Sequence, residues 1–300
     1  MRWTAMSRWP KHRIWLLVAV VILQLLTGWL AFRGHSRQTY NAEPVYNIAS
    51  PPQALAPTPM NPEIPEPQPR VSPPAVDEPL DEPLDLTSWK LTIPEPSSKG
   101  TAVNITPADS KPPWLVRAPD GSLTFWAPTA GATTPNSKHP RTELDSLHNF
   151  IVGSSPHMLR ASVTVVQAPD DNHDIILGQI HGAAAISSVP FVMLHYRAGI
   201  IEVVVRQQQN APTSNKYTLL TDIPLGARFD FAISDPGNGN LVFGAAYGAN
   251  NHTVTAPIPP AFRGATVRFQ AGDYQQGATA SPTTGGRVTF HALLDGLPLS

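Results

Sequence analysis

The sequence contains no cysteine, and only 14% of its 300 residues are charged. The absence of cysteine excludes a disulfide framework and any zinc site built on thiolates. The formal net charge of −1 excludes the broad basic surface on which non-specific nucleic-acid binding depends, so we expect no nucleic-acid partner. A Gly-rich phosphate loop, a Gly-x-Ser-x-Gly motif and a fixed internal repeat are also missing.

Metal-ligand spacing is missing as well. The histidines are scattered, as His173, His195, His252 and His291 illustrate, and none forms a His-x-x-x-His pair. Such pairs place two imidazoles on one face of a helix, where both can bind one metal ion. We therefore expect no metal and no cofactor.

One long apolar run is present, at residues 14–32, and it has 19 residues without a charge. That length can span a bilayer as a helix and exceeds the apolar core of most signal peptides. Basic residues precede it, at Arg2, Arg8, Lys11 and Arg13, which favours a cytoplasmic amino terminus. We expect residues 1–37 to form a basic tail and a single-pass anchor in a bacterial inner membrane, with the remainder in the periplasm. A cleaved signal peptide and a secreted protein are the alternative.

Proline is abundant, with 34 residues, and it is concentrated after the apolar run. Residues 38–84 contain PPQALAPTPMNPEIPEPQPRVSPPAVDEPLDEP and a marked excess of acidic residues. Such a composition favours extended, polyproline-like chain and buries too little apolar surface to fold. We expect a disordered linker that separates the anchor from a folded domain at residues 85–300.

The carboxyl-terminal segment has a different pattern. Short runs of β-branched and apolar residues, among them DIILGQIHG, IIEVVVRQ, RFDFAISD and LVFGAAYG, are separated by turn residues such as DPGNGN. Many short strands at close spacing predict an all-β sandwich or barrel. The segment is long enough for one sizeable core.

Three stretches of this segment carry polar groups suited to chemistry. Read as strands, they place Arg141, Glu143 and Asp145 on one face, Gln179 beside His181 on a second strand, and Arg268, Gln270 and Tyr274 on a third, because alternate residues of a strand share a face. Taken singly, each stretch has an ordinary interpretation: a solvated charged face, a structural histidine, or a packing tyrosine.

Together the three stretches resemble the alginate lyases of polysaccharide lyase family 7. That family carries Arg-Thr/Ser-Glu-Leu-Arg, Gln-Ile/Val-His and Tyr-Phe-Lys-Ala-Gly-x-Tyr-x-Gln in this order. The corresponding stretches are RTELD at 141–145, QIH at 179–181 and RFQAGDYQQ at 268–276. The resemblance extends over roughly residues 85–300 and implies a jelly-roll of two antiparallel sheets with a substrate groove along one face.

The resemblance also implies the activity, β-elimination on an acidic uronate polymer, and the site. The implied catalytic residues are Arg141, Gln179, His181 and Tyr274. The implied substrate-binding residues are Glu143, which orients Arg141, with Arg268, Gln270 and Gln276. Either His181 is the base and Tyr274 the acid, or Tyr274 serves as both. We expect a monomer.

Three positions differ from the family pattern. Asp145 stands in place of the second arginine, Gln270 in place of lysine, and Arg268 in place of the first tyrosine. Since lysine and arginine attract a polyanion, these changes bear on the choice of substrate. Ile180 favours guluronate-containing polymers by the family's pattern. A lyase for another polyuronate such as glucuronan, or a non-catalytic carbohydrate-binding jelly-roll, are the alternatives.

Overall fold

The computed structural model describes residues 84–296, and the strands in that part of the chain number sixteen. Two short 3-10 helices, Ala184–Ile186 and Pro260–Phe262, are the only other regular elements there. The strands are β1 (Trp89–Pro96), β2 (Ala102–Ile105), β3 (Leu115–Arg117), β4 (Leu123–Pro128), β5 (Thr142–Ser146), β6 (Phe150–Ile151), β7 (His157–Gln167), β8 (Asp174–Gly182), β9 (Pro190–Arg197), β10 (Ile200–Arg206), β11 (Ser214–Leu220), β12 (Arg228–Asp235), β13 (Asn240–Tyr247), β14 (Asn250–Pro257), β15 (Thr266–Gln275) and β16 (Gly285–Gly296).

The strands form two antiparallel sheets. The larger has the order β11-β10-β9-β8-β15-β5-β1-β2, with β6 also paired to β15, and the smaller has the order β14-β13-β12-β7-β16-β4-β3. Strands that are far apart in the sequence are neighbours, since β15 lies between β5 and β8. This order brings the three polar stretches of the sequence onto adjacent strands.

The core lies between the two sheets and is built by large apolar side chains at alternate positions of the strands. In β12, Phe229, Phe231 and Ile233 are buried while Asp230 between them is partly exposed. Burying each such phenylalanine contributes about 2–3 kcal/mol. The sheets approach closely where Gly178 of β8 faces β12, because a Cβ atom there would lie 2.9 Å from the ring of Phe231.

The prediction of an all-β sandwich of antiparallel sheets is confirmed. The predicted anchor at residues 1–37 and nearly all of the predicted linker at 38–84 lie outside the described residues, and the domain boundaries stay a prediction. Within residues 84–296, no helix is long and apolar enough to cross a membrane.

Candidate active site

A groove of about 350 Å³ runs across the outer face of the larger sheet, over β1, β5, β15, β8 and β9. Its lining includes residues 134–136, residues 187 and 188 just before β9, and residue 190 at the start of β9. All eight residues predicted for the site line it: Arg141, Glu143, Gln179, His181, Arg268, Gln270, Tyr274 and Gln276.

Strand register brings these side chains together. Gln270 of β15 lies opposite Gln179 of β8 on one side and opposite Asp145 of β5 on the other. Arg268 lies opposite His181 in the same way. Directly opposed residues of antiparallel strands have their Cβ atoms about 4.5–5.5 Å apart, so side chains from three distant parts of the sequence are within contact.

A β-bulge in β15 positions Tyr274. The register between β15 and β8 shifts between Ala271 and Tyr274, so that Tyr274 pairs with Ile176. Gly272 lies within this bulge with φ of +151°, and a Cβ atom there would lie 2.6 Å from the carbonyl oxygen of Thr142. Only glycine fits this close approach, so the glycine of the motif is required by the backbone.

Arg141 connects the acidic and aromatic parts of the site. Its Nη1 atom donates to Oε2 of Glu143 at 2.7 Å, and its guanidinium lies 3.5 Å from the centre of the Tyr274 ring. Burial raises the pKa of Glu143, while the charge of Arg141 opposes that shift. The Nε atom of Arg141 is buried and has no hydrogen-bond partner within the described part of the chain, so one donor is left for a bound ligand.

The amide nitrogen of Gln179 is fully engaged in protein hydrogen bonds. Its amide nitrogen donates to Oε1 of Glu143 at 2.6 Å and to Oε1 of Gln270 at 3.0 Å. An amide nitrogen has two hydrogens, so both are used. Donation from Gln179 to a substrate carboxylate would require one of these bonds to be exchanged.

His181 is a neutral imidazole at neutral pH. Burial, together with the nearby Arg268 and Arg141, lowers its pKa from 6.5 to about 4. Its Nδ1 atom lies 3.1 Å from the carbonyl oxygen of Gly182. A carbonyl can only accept, so Nδ1 carries the proton and Nε2 has a free lone pair, which suits a general base.

The Tyr274 hydroxyl is held by a residue that the sequence analysis missed. Its oxygen lies 2.9 Å from Oγ of Ser137, which itself lies 2.8 Å from the carbonyl oxygen of His139. Because the single Ser137 hydroxyl hydrogen goes to that carbonyl, Tyr274 donates to Ser137. The signal was available in the sequence, since Ser137 falls within the PNSKHP segment just before Arg141.

Asp145 is the centre of a second charged cluster. Its carboxylate accepts from Lys90 Nζ at 2.5 Å, from Arg268 Nε at 3.1 Å and from the amide of Gln270. Burial alone would raise the pKa of Asp145, but Arg268 and Lys90 outweigh it and the pKa is lowered. Lys90 is a further groove residue that the sequence analysis did not identify.

Gln276 lines the groove, but its amide nitrogen donates to the backbone carbonyls of Tyr274 and Gln275.

Among residues 84–296 no group of three or more His, Cys, Asp or Glu side chains could hold a metal ion. A larger cavity of about 510 Å³, lined by Tyr196, Leu225 and neighbours, contains none of the predicted residues.

The family model described as "Alginate lyase" matches residues 84–295. A search of curated proteins gave no match. Among solved structures, an alginate lyase from Pseudomonas aeruginosa is 28% identical with a TM-score of 0.63, and the match covers 71% of this chain and 100% of that one.

Two further structures are similar. Alginate lyase A1-II', a member of polysaccharide lyase family 7, is 26% identical with a TM-score of 0.60, covering 72% of this chain and 97% of that one. An alginate lyase from Klebsiella pneumoniae is 18% identical with a TM-score of 0.64, covering 71% and 96%, which supports the fold alone. The matched region contains both sheets and the whole groove. This chain therefore belongs to the alginate lyases of polysaccharide lyase family 7.

Proposed function

We propose that this chain cleaves alginate, a polymer of guluronate and mannuronate, by β-elimination in the groove of the larger sheet. The observation that carries the proposal is the convergence of Arg141, His181 and Tyr274 on one groove, beside the buried pair Glu143 and Gln179. The family membership supports the substrate class.

Elimination at a 4-linked uronate requires removal of the C5 proton and departure of the sugar at O4. An ionised carboxylate beside C5 resists this, since negative charge would accumulate next to negative charge. Arg141 supplies a permanent cation and an unpartnered buried Nε donor, which can bind the carboxylate and stabilise the charge that develops on it. Glu143 holds the other end of the guanidinium in place.

Proton transfer falls to His181 and Tyr274. Nε2 of neutral His181 takes the C5 proton, the C5 electron pair forms the C4=C5 double bond, the C4–O4 bond breaks, and the Tyr274 hydroxyl gives its proton to O4. In the alternative version Tyr274 starts as the tyrosinate, having lost its hydroxyl proton to solvent, takes the C5 proton itself and then gives that proton to O4. The epimer of the uronate decides between the two, since it sets the side on which the C5 proton lies.

The test follows the absorbance of the unsaturated sugar in the ultraviolet, with the full chain acting on polyguluronate, polymannuronate, mixed alginate and a glucuronan. We expect turnover on a guluronate-containing polymer, by the family pattern for Ile180. Tyr274→Phe should reduce kcat at least about 100-fold, the usual contribution of a general acid or base. The matched control is Tyr217→Phe, which removes a hydroxyl from β11, outside the groove residues.

The outcomes distinguish the candidates. Turnover on glucuronan alone would keep the reaction and replace the polymer. A folded wild type that binds these polymers without releasing unsaturated product would overturn the lyase proposal in favour of a carbohydrate-binding module.

We also propose that the enzyme is tethered to the inner membrane and faces the periplasm, with no partner needed besides its acidic polysaccharide. The apolar run at residues 14–32 and the basic residues before it support this. Membrane fractionation, followed by protease treatment of spheroplasts, tests it. Recovery of an amino-terminally shortened protein in the medium would support the cleaved signal peptide instead.

A further inference from the structure

The groove lining has an excess of positive charge. It includes three permanent cations, Lys90, Arg141 and Arg268, and two carboxylates, Glu143 and Asp145. Arg141 pairs with Glu143, and the charges of these two side chains cancel. Lys90 and Arg268 both pair with the single carboxylate of Asp145, so two cations and one carboxylate leave this second cluster with a net positive charge. The excess therefore lies at the cluster around Asp145.

Strand register places this cluster on the groove floor. Lys90 of β1 lies opposite Asp145 of β5, and Asp145 lies opposite Gln270 of β15. Arg268 precedes Gln270 by two positions on β15 and therefore shares its face. Neighbouring strands are about 4.8 Å apart, so the cluster lies within two strands of Tyr274. Residues 145 and 270 are the positions where the family pattern has cations, and here Lys90 and Arg268 bring positive charge to the same part of the floor.

Both cations keep donors for a ligand. The guanidinium of Arg268 donates through Nε to Asp145 and through Nη1 to the carbonyl oxygen of Gly182. A guanidinium has five N–H groups, so three of them have no partner within residues 84–296. The ammonium of Lys90 has three N–H groups, and its ion pair in that part of the chain is with Asp145. The side chains of Lys90 and Arg268 are 30% and 19% exposed, so a ligand in the groove can reach them.

A uronate carboxylate matches these donors. Charged N–H groups form their strongest hydrogen bonds with anionic oxygens. The oxygens of Asp145 already accept from Lys90, Arg268 and the amide of Gln270. An incoming carboxylate would contact the two cations on their free side, where the attraction of two positive charges exceeds the repulsion of one negative charge.

We propose that Lys90 and Arg268, held together by Asp145, form a second carboxylate-binding subsite. It takes another uronate of the same polymer chain while Arg141 binds the uronate that undergoes elimination. The inference rests on the proposed lyase function and deepens it. A polymer with uronates in succession, such as alginate, would bind more tightly than one with isolated uronates.

The experiment compares two forms of one alginate, untreated and partly carboxyl-reduced, in which some uronates have become neutral hexoses. For each form, kcat and KM per intact uronate are measured with the full-length protein. Lys90→Gln should raise KM for untreated alginate about fivefold, as the loss of one partly exposed ion pair would give. Its kcat should stay within about twofold of wild type, because Lys90 binds a sugar that does not react. The rise in KM should be smaller on the reduced polymer, which offers Lys90 fewer carboxylates.

Two variants complete the design. Lys90→Arg keeps the charge and should retain a KM near that of wild type. The matched control is Lys216→Gln on β11, because Lys216 also pairs with a carboxylate of a neighbouring strand of this sheet, Glu202, but does not line the groove. The control should leave KM for both polymers unchanged.

A further measurement needs no variant. The wild-type KM should rise with salt more steeply for untreated alginate than for the reduced polymer, because salt screens each additional ion pair between enzyme and substrate.

The outcomes separate this inference from the lyase function. An unchanged KM in Lys90→Gln, an equal rise on both polymers, or the same rise in Lys216→Gln overturns the subsite and leaves the lyase function standing. If Lys90→Gln does not fold, equal salt dependence on the two polymers overturns the subsite. Absence of unsaturated product from wild type on every polymer overturns the lyase function and the inference together.

Discussion

At the scale of single residues, Tyr274 depends on its neighbours for orientation. Its hydroxyl donates to Ser137, and the Arg141 guanidinium lies against its ring. A reacting group that is misplaced by a fraction of an ångström loses rate steeply, because catalysis depends on a near-attack geometry.

We predict that Ser137→Ala lowers kcat on the preferred polymer about tenfold with little change in KM, as expected for the loss of one orienting hydrogen bond. Ser137→Thr keeps the hydroxyl and should restore most of the rate. Steady-state kinetics of the two variants check this. Equal losses in both, or a change confined to KM, would show that Ser137 does not act through Tyr274.

The pH dependence of activity gives a second residue-scale prediction. Burial lowers the pKa of His181 to about 4, so the imidazole stays neutral, and able to accept a proton, down to about that pH. If His181 is the base, the acid limb of kcat/KM should fall near pH 4, since kcat/KM reports the free enzyme. A limb centred near the ordinary value of about 6.5 would contradict this assignment.

The same shift has a consequence for stability. An unfolded chain takes up a proton on this histidine as the pH falls below about 6.5, whereas the folded protein resists until about pH 4. The contribution of His181 to stability is therefore lost progressively as the pH falls through that window.

At the scale of elements, strand β15 determines whether the site exists. It lies between β5 and β8, and its bulge at Gly272 sets the position of Tyr274. A strand without that extra residue would move Tyr274 by one position, and the side chain would change faces.

We predict that Gly272→Ala destabilises the fold by about 3 kcal/mol, because the new Cβ would meet the backbone of Thr142 and Glu143 in a conformation that favours glycine. Activity should fall further than stability explains. Gly121→Ala is the control, since Gly121 also has positive φ but open space around it, and it should cost about 1 kcal/mol. Urea unfolding of both variants provides the measurement. Similar losses in the two would exclude the close contact as the cause.

At the scale of the whole molecule, a carboxyl group is buried between the sheets. Asp273 is inaccessible, its Oδ2 atom accepts from the Ala127 amide at 3.0 Å, and its Oδ1 atom has no partner within residues 84–296. Burial raises its pKa well above the ordinary value, against the opposing effects of the Ala127 amide and Arg287. The folded protein therefore retains a proton that the unfolded chain loses above about pH 3.9. The free energy of unfolding consequently decreases as the pH rises from about 3.9 toward the raised pKa of Asp273.

We predict that Asp273→Asn raises the melting temperature at pH 7 by about 3 °C, corresponding to roughly 1 kcal/mol in a domain of this size. The gain should shrink toward pH 4, where wild type no longer has to retain the extra proton. Asp171→Asn is the comparison, because that exposed carboxylate accepts the amides of Ala278 and Thr279 and its removal should not raise the melting temperature. A gain for Asp273→Asn that is independent of pH would contradict the explanation.

The sequence by itself determined the all-β class and, through its three motifs, eight of the residues that line the groove. Alternation in runs such as RFDFAISD indicates which face is buried, because period-2 patterning is a local property of a strand. The same alternation put Gln179 and His181 on one face of β8, and the motif order identified Arg141 and Tyr274 on other strands. All four line one groove in the structure.

Only the tertiary structure decided which side chains form hydrogen bonds and ion pairs with each other. The bonds between Ser137 and Tyr274, and between Lys90 and Asp145, join residues 137 and 55 positions apart, and such contacts depend on sheet order and on the bulge at Gly272. Asp145 stands where the family pattern has an arginine, yet in the structure its carboxylate is paired with two cations, Lys90 and Arg268. Pairing energies depend on distances that strand alternation does not fix, so the charge balance of the groove follows from the fold.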